Sequence, residues 1–327
     1  YIKGLRTKHR NIRNMSIGHS IYEKKRRRIA LNGIFYASIS SASFGFSPLF
    51  SLALISAGLW NLDVLSYRWA VAAIVLVVYA FAKKKTLRLT TFDETWKILL
   101  LSALRAITSI TLLIGYENIA SGIASTINFM YPVVVTLCMM IFFGEQKSWI
   151  NIGAITISLI GVYLMASGDG LRVEGGNTAL GLACSLISAF SFAAYYIVMK
   201  RTKADKIEAV KLTTWIMLMS AVYFIVAGFI FNGKITIVTD GKLWISILGL
   251  GLWSTMVSNF TGVKAVRRIG PTLTSILGAL QPLTAVILGV LFLNEHLSVM
   301  TVVGIGLIML AVMIIVQHQS KKKHFQH

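Results

Sequence analysis

Residues 119–148 read IASGIASTINFMYPVVVTLCMMIFFGEQKS, and residues 269–298 read IGPTLTSILGALQPLTAVILGVLFLNEHLS. Each contains an apolar run close to the roughly 20 residues that cross a hydrocarbon core. A proline, Pro132 or Pro282, sits near the middle of each run, and a glutamate, Glu145 or Glu295, follows thirteen residues later. A shift of 150 residues lays one on the other without a gap, matching Ser125/Ser275, Phe142/Phe292 and Ser148/Ser298 as well. Aliphatic coincidences mean little in so apolar a chain, so the paired Pro and Glu at fixed spacing carry the repeat. A shift of 148 extends it to the first and sixth apolar runs, through Gly33/Gly181, Ser40/Ser188, Ser43/Ser191 and Phe44/Phe192.

Working outward, apolar runs fall near 29–56, 62–82, 96–118, 121–143, 148–166, 178–199, 212–232, 243–263, 271–293 and 297–316. Each half of the chain therefore crosses five times. An odd number makes the second half enter the membrane from the side opposite the first, so the two copies are inverted. The expected fold is an all-α integral membrane protein of ten transmembrane helices, built as two inverted five-helix repeats. The expected divisions are a basic tail over 1–28, a first repeat over 29–166, a second over 178–318, and a second basic tail over 319–327.

Composition agrees with this layout. Of 327 residues 56% are hydrophobic and 13% charged, against about 25% charged in a soluble domain. The net charge of +20 invites a nucleic-acid reading, but the cations lie between apolar runs, and neither tail has aromatics interleaved at stacking spacing. Twenty-seven of the 32 Lys and Arg fall in segments on one side of the ten-span layout. Arg172, Lys234 and Lys242 fall on the other, and Arg68 and Arg105 within spans. Basic loops stay cytoplasmic, so both termini are expected in the cytoplasm, with Lys24–Arg28 and Lys321–Lys323 against anionic lipid. The first apolar run is too long for a cleaved secretory signal, and Met15 is the expected native start. Cys138 and Cys184 lie in apolar runs, where a thiol behaves as a small hydrophobe, and no spacing suggests a metal or a cofactor.

Several residues stand out inside the spans. Arg105 lies near the middle of the third run, where a charge is costly and marks a functional site by default. It either forms a bidentate contact with a carboxylate or phosphate, or caps helix carbonyls or snorkels toward the cytoplasm. Ser109 lies one turn on, and the positions 150 further, Thr255 and Asn259, are polar but uncharged. Arg68 is expected at the rim, in a salt bridge with Asp63 or Glu117. Ser121, Ser125, Asn128 and Pro132 are expected to share one face of the fourth span, and Thr274, Gly278 and Gln281 one face of the ninth. Such a face turns inward, to bind solute or to bond neighbouring helices. Asn128, Tyr131 and Gln281 are the candidates for solute contact, with Phe44 and Phe192 flanking.

Pro132 and Pro282 each remove an amide and kink their helix, which makes them candidate hinges. Glu145 and Glu295 sit between consecutive spans, where they either cap the turn or lock alternate faces of a carrier. The twelve acids fall in loops or at span ends and the six His outside the spans, so the sequence shows no buried carboxylate for proton relay. The same absence argues against an enzyme.

The Pro132/Glu145 and Pro282/Glu295 repeat, with Tyr67-Arg68-Trp69 at the start of the second span, resembles the drug/metabolite transporter superfamily, EamA-type, over nearly all of residues 29–318. That resemblance implies a secondary transporter of small metabolites, commonly outward, working without cofactor. With Arg105 it points to an amino acid or a related zwitterionic or anionic solute. The partners expected are that solute and anionic lipid, with the protein a monomer or homodimer. A carrier of a larger or lipid-linked metabolite and a non-transporting membrane scaffold are the rivals.

Overall fold

The computed structural model describes residues 30–89, 91–142, 148–167 and 173–324. The basic run before residue 29, Met15, Glu145 and the side chains of Lys321–Lys323 lie outside what it describes.

The described residues form an all-helical membrane protein. Eight helical stretches are long and apolar enough to span: α1 (Ala30–Ser56), α2 (Asn61–Ala82), α3 (Phe92–Asn118), α4 (Ser121–Phe142), α6 (Thr178–Arg201), α7 (Ala209–Asn232), the first part of α8 (Gly241–Gly262) and α10 from Val299 to His318. Two shorter apolar helices, α5 (Trp149–Ser167) and α9 (Leu280–Phe292), complete the ten. Polar ends start and stop them. Thr91 accepts from the amide of Glu94 at the start of α3, Asn177 from that of Leu180 at α6, and Asp240 from that of Lys242 at α8, each satisfying an amide that the helix leaves unpaired.

The packing joins the two halves throughout. The most extensive contacts pair α5 with α10, α3 with α6 and α2 with α7, one member from each repeat every time. Ile74, Val78 and Phe81 form an exposed apolar stripe on α2, while Leu65, Trp69 and Leu76 of the same helix are buried. The buried set also includes Ser47, Ser51, Ser102, Ser185 and Ser188, because lipid is as apolar as leucine and small polar side chains are kept to the faces between helices. Gly161 and Gly304 let α5 and α10 cross closely, since a Cβ on either would lie within 2.8 Å of the other's carbonyl oxygen.

Two spans are less regular than their hydropathy. The fourth is broken: Ser121–Asn128 and Tyr131–Phe142 are separate helical segments joined by a turn at Phe129–Met130. The ninth, expected as one run over 271–293, is divided at the matching place. Its first part is the end of a helix that continues from Ser258 to Leu277, and after a turn at Gly278–Ala279 α9 takes over. Upstream, α8 passes through nine residues of π-helix, Gly249–Val257, in which the Thr255 hydroxyl donates to the carbonyl of Leu250 at 2.8 Å.

Candidate functional site

Arg105 occupies the midpoint of α3 and is 7% exposed. Its guanidinium carbon lies 4.8 Å from the ring centroid of Phe192, 5.6 Å from Tyr195 and 5.6 Å from Trp69. These distances are within the roughly 6 Å at which a cation is drawn to an aromatic face. Among the described residues none accepts a hydrogen bond from it and none forms an ion pair with it. Ser109, one turn on, is buried beside it on α3. Each guanidinium carries five donors in a planar fork, so this one is left able to grip an acid group.

The aromatic box extends from α6 to α4. Phe192, Tyr195 and Tyr196 recur at helical spacing, and Tyr131 meets Phe192 at 4.7 Å and stacks on Tyr196 at 5.1 Å between centroids. Tyr131 reaches them because α4 restarts there. Pro132 has no amide to give the carbonyl of Asn128, so the helix breaks in the preceding turn. Asn128 ends the first segment, donating through Nδ2 to the Ser188 hydroxyl of α6 at 3.0 Å. That segment is buried on every side, where the sequence suggested one polar face. Ser121 and Ser125 line it too, and Ser125 donates to the Tyr116 hydroxyl at 3.2 Å.

Arg68 is a correction. The sequence placed it at the rim beside Asp63 or Glu117; the structure buries it to 4% exposure, with Nε on the Thr255 hydroxyl and a terminal nitrogen on the Ser47 hydroxyl, both at 2.9 Å. Hydropathy fixes a residue's depth along a helix but not which way it faces. Thr255 is the position that the 150-residue repeat sets opposite Arg105, and the π-helical widening presents its hydroxyl to Arg68. Arg68 also lies 5.6 Å from the Phe44 ring and 5.8 Å from Trp69. The repeat-related phenylalanines thus each sit against an arginine, Phe44 against Arg68 and Phe192 against Arg105, and the two arginines share Trp69.

On the second half, Pro282 follows Gln281 across the turn that ends at Ala279. Gln281 Nε2 is buried without a hydrogen-bond partner among the described residues. Asn259, by contrast, is satisfied within its own helix, donating to the Thr255 carbonyl at 2.6 Å. The two broken helices touch at Gly122, where a Cβ would come within 2.5 Å of Val286 Cγ2 and 2.9 Å of its Cα.

Away from the arginines, the two ends of the bundle are tied by polar bridges between repeats. At the basic end Lys211 pairs with Glu94 and Lys85 with Glu208, both at 2.7 Å. At the opposite end Glu295 does not cap its own turn, a role taken by Ser298, which accepts from the Thr301 amide. Glu295 instead reaches the start of α4 and accepts from the amides of Ser121 and Gly122 at 2.6 and 3.4 Å. Burial pushes its carboxyl above the ordinary value while those amides pull it back. Also at that end, Asp63 accepts from the Thr236 amide at 3.3 Å, and within the first repeat Asn61 donates to Glu117 at 2.6 Å. Asp63 has no exposed surface, which corrects the expectation that no carboxylate is buried. Its first-turn position looked like a rim, but the segment around Thr236 folds over it.

The candidate residues therefore divide. Arg105, Tyr131 and Phe192 meet in one box with Ser109 beside it, Asn128 braces it, Phe44 belongs to the neighbouring Arg68, and Asn259 points along its own helix. Trp69, Tyr195 and Tyr196 were missed as site residues; the signal for the tyrosines was their helical spacing from Phe192. Among the described residues no group of three His, Cys, Asp or Glu is placed to hold a metal ion.

Comparison with known proteins bears on this geometry. The profile of the EamA-like transporter family matches residues 31–167 and again 179–317. The uncharacterized transporter YvbV of Bacillus subtilis is 24% identical over 285 residues, covering 85% of each chain. The uncharacterized inner membrane transporter YedA of Escherichia coli K12 is 25% identical over 202 residues, 61% of this chain and 63% of that one. A protein known by crystal structure superposes with a TM-score of 0.59 at 13% identity, over 88% of this chain and 96% of its own, a likeness of fold alone.

Proposed function

The chain belongs to the EamA-like transporter family, and from that premise we propose that it carries a small acid-bearing metabolite, an amino acid or a related zwitterionic or anionic solute. Alternating access about the Arg105 box is the mechanism. The observation that carries this reading is a mid-membrane guanidinium with aromatic rings against it and no acceptor among the described residues. An interior charge is costly unless function requires it, and a planar acid answers it with two parallel hydrogen bonds.

The remaining parts have roles in the same cycle. Tyr131 and Phe192 contact the body of the solute, and Asn128 and Gln281 supply polar contacts beside the two breaks. Pro132 and Pro282 are the hinges, since each frees a carbonyl where the chain already turns. Glu295 ties the start of α4 to the turn before α10 and must release when that end opens. The basic end faces the cytoplasm, as the excess of Lys and Arg there requires, and net movement is outward, as the resemblance implies.

Uptake and counterflow of a pooled, labelled metabolite panel in proteoliposomes test the proposal, wild type beside Arg105→Ala. Saturable flux of acid-bearing solutes that the variant loses supports it. Equal flux in the variant removes Arg105 from the site, and no flux of any solute returns the protein to the scaffold reading.

A further inference from the structure

We infer that the solute is a net anion with an apolar body, taken up only in exchange for another such anion, and not a zwitterion. The inference rests on the reading of Arg105 given above and narrows it. Two guanidiniums, those of Arg105 and Arg68, lie against the same indole ring in the middle of the bundle. Arg68 is held by two neutral hydroxyls and Arg105 by aromatic faces alone. Neither has a carboxylate among the described residues to balance it. Of the described acids, Asp93, Glu94 and Glu208 pair with lysines at the basic end, and Asp63, Glu117, Asp240 and Glu295 accept from N–H donors at the other.

The charge balance decides the class of solute. An acid group entering the box meets Arg105 directly and gains from the field of Arg68, since opposite charges in a low-dielectric interior attract strongly. An α-ammonium brought in with it meets two like charges and no carboxylate. Four of the rings that would serve an ammonium in a cation–π cage, Phe44, Trp69, Phe192 and Tyr195, already face the arginines, and Tyr131 and Tyr196 stack on each other. What those rings offer next to the acid is apolar surface, suited to a branched or aromatic body.

The same imbalance sets the mode of transport. While the box is open to water, the guanidinium of Arg105 is hydrated. Closing it empty strips that water and leaves a charge with no counter-ion, which is the costly way to bury an ion. Closing it around an anion supplies the counter-ion. Return without cargo is therefore slow and exchange fast.

The test uses the full-length purified protein in liposomes and pairs of solutes matched in body: 2-oxoisocaproate with leucine, and phenylpyruvate with phenylalanine. Phenyl phosphate is a third arm that separates a carboxylate from a phosphate preference. The expected result is uptake of each acid at least about tenfold above its amino-acid partner, and at least about tenfold faster into vesicles preloaded with unlabelled acid than into empty ones. Arg105→Lys retains part of this uptake and Arg105→Ala none. Amino acids moving as fast as their 2-oxo partners, with the same need for Arg105, overturn the inference and leave the carrier reading standing. Equal uptake into empty and loaded vesicles overturns the exchange. Failure of all five solutes overturns the inference, while the wider panel decides the carrier reading separately. The comparison of anion with zwitterion is made on wild type, so it does not depend on a variant that folds.

Discussion

Replacing Arg105 and Arg68 separately by methionine gives opposite outcomes if one guanidinium is kept for a ligand and the other for structure. Arg105 is 7% exposed and has cation–π contacts with three rings but no hydrogen bond from the described residues. Burying an ion costs several kcal/mol after relaxation, and a desolvated cation–π contact returns about 2 kcal/mol at best. Only Phe192 lies well within range, so the balance comes out near zero or against the folded, empty protein. Methionine keeps the stem and places a polarizable sulfur among the rings. Arg105→Met should therefore leave stability within about 1 kcal/mol of wild type or raise it, and abolish transport. Arg68 has two charge-assisted hydrogen bonds at 2.9 Å, each contributing about 1.5–3 kcal/mol. Arg68 bears the same burial cost, but Arg68→Met removes both bonds and leaves the Ser47 hydroxyl buried without its partner, so it should be less stable than Arg105→Met by about 3 kcal/mol or more. Thermal melts of purified protein in detergent, followed by far-ultraviolet circular dichroism, read both variants beside the flux assay. If Arg105→Met loses as much stability as Arg68→Met, Arg105 is held by acceptors within the fold and the argument for a ligand at it fails.

Two further outcomes follow from the end of the bundle away from the basic loops. Glu295 has its carboxyl raised by burial above the ordinary 4.5, so the folded protein holds that proton more tightly than the unfolded chain. Its contribution to stability is full below the ordinary value and is lost as pH rises through the shifted one. Melting temperatures of wild type should fall relative to Glu295→Gln over that window, and parallel curves would show that Glu295 is as hydrated as in the unfolded chain. Gly122→Ala places a methyl 2.5 Å from Val286 Cγ2, an overpacking that costs about 1–3 kcal/mol. Val286→Ala should restore part of the lost stability in the double variant, though not all, because the Val286 Cα at 2.9 Å remains; strict additivity of the two would place the contact elsewhere.

What the sequence made legible is what depends on local backbone chemistry. Pro132 and Pro282 announce breaks because a missing amide acts on its own helix, and the structure breaks both spans in the turn just before each. The ten spans and their inversion were legible because hydropathy and an odd crossing number need no knowledge of neighbours. What was not legible concerns residues whose partners lie far along the chain. Glu295 bonds an amide 174 residues away, and Arg68 bonds a hydroxyl 187 residues away. Nothing periodic connects such pairs. Asp63 was misplaced for a related reason, since its burial is caused by the segment at Thr236 and not by its own helix.

The inverted repeat gives that asymmetry a meaning. Two faithful copies would place an arginine on each of α3 and α8, facing one another across the pseudo-twofold axis. Here the second copy carries Thr255 instead, and its hydroxyl is spent on Arg68. The first repeat thus supplies both cations, while the second supplies the ring against Arg105, Phe192, and the hydroxyl that steadies Arg68. One guanidinium is fixed by the fold and the other is left with rings alone, so the pair offers one anchored cation and one available cation in place of two equivalent sites. A single acid group matches that arrangement. Thr255→Ala removes one of the two hydroxyls that hold Arg68 and leaves only Ser47 on it, so the second cation is partly freed, and discrimination between monoanions and dianions should shift toward the dianion, read as the ratio of their uptake rates in the same vesicles.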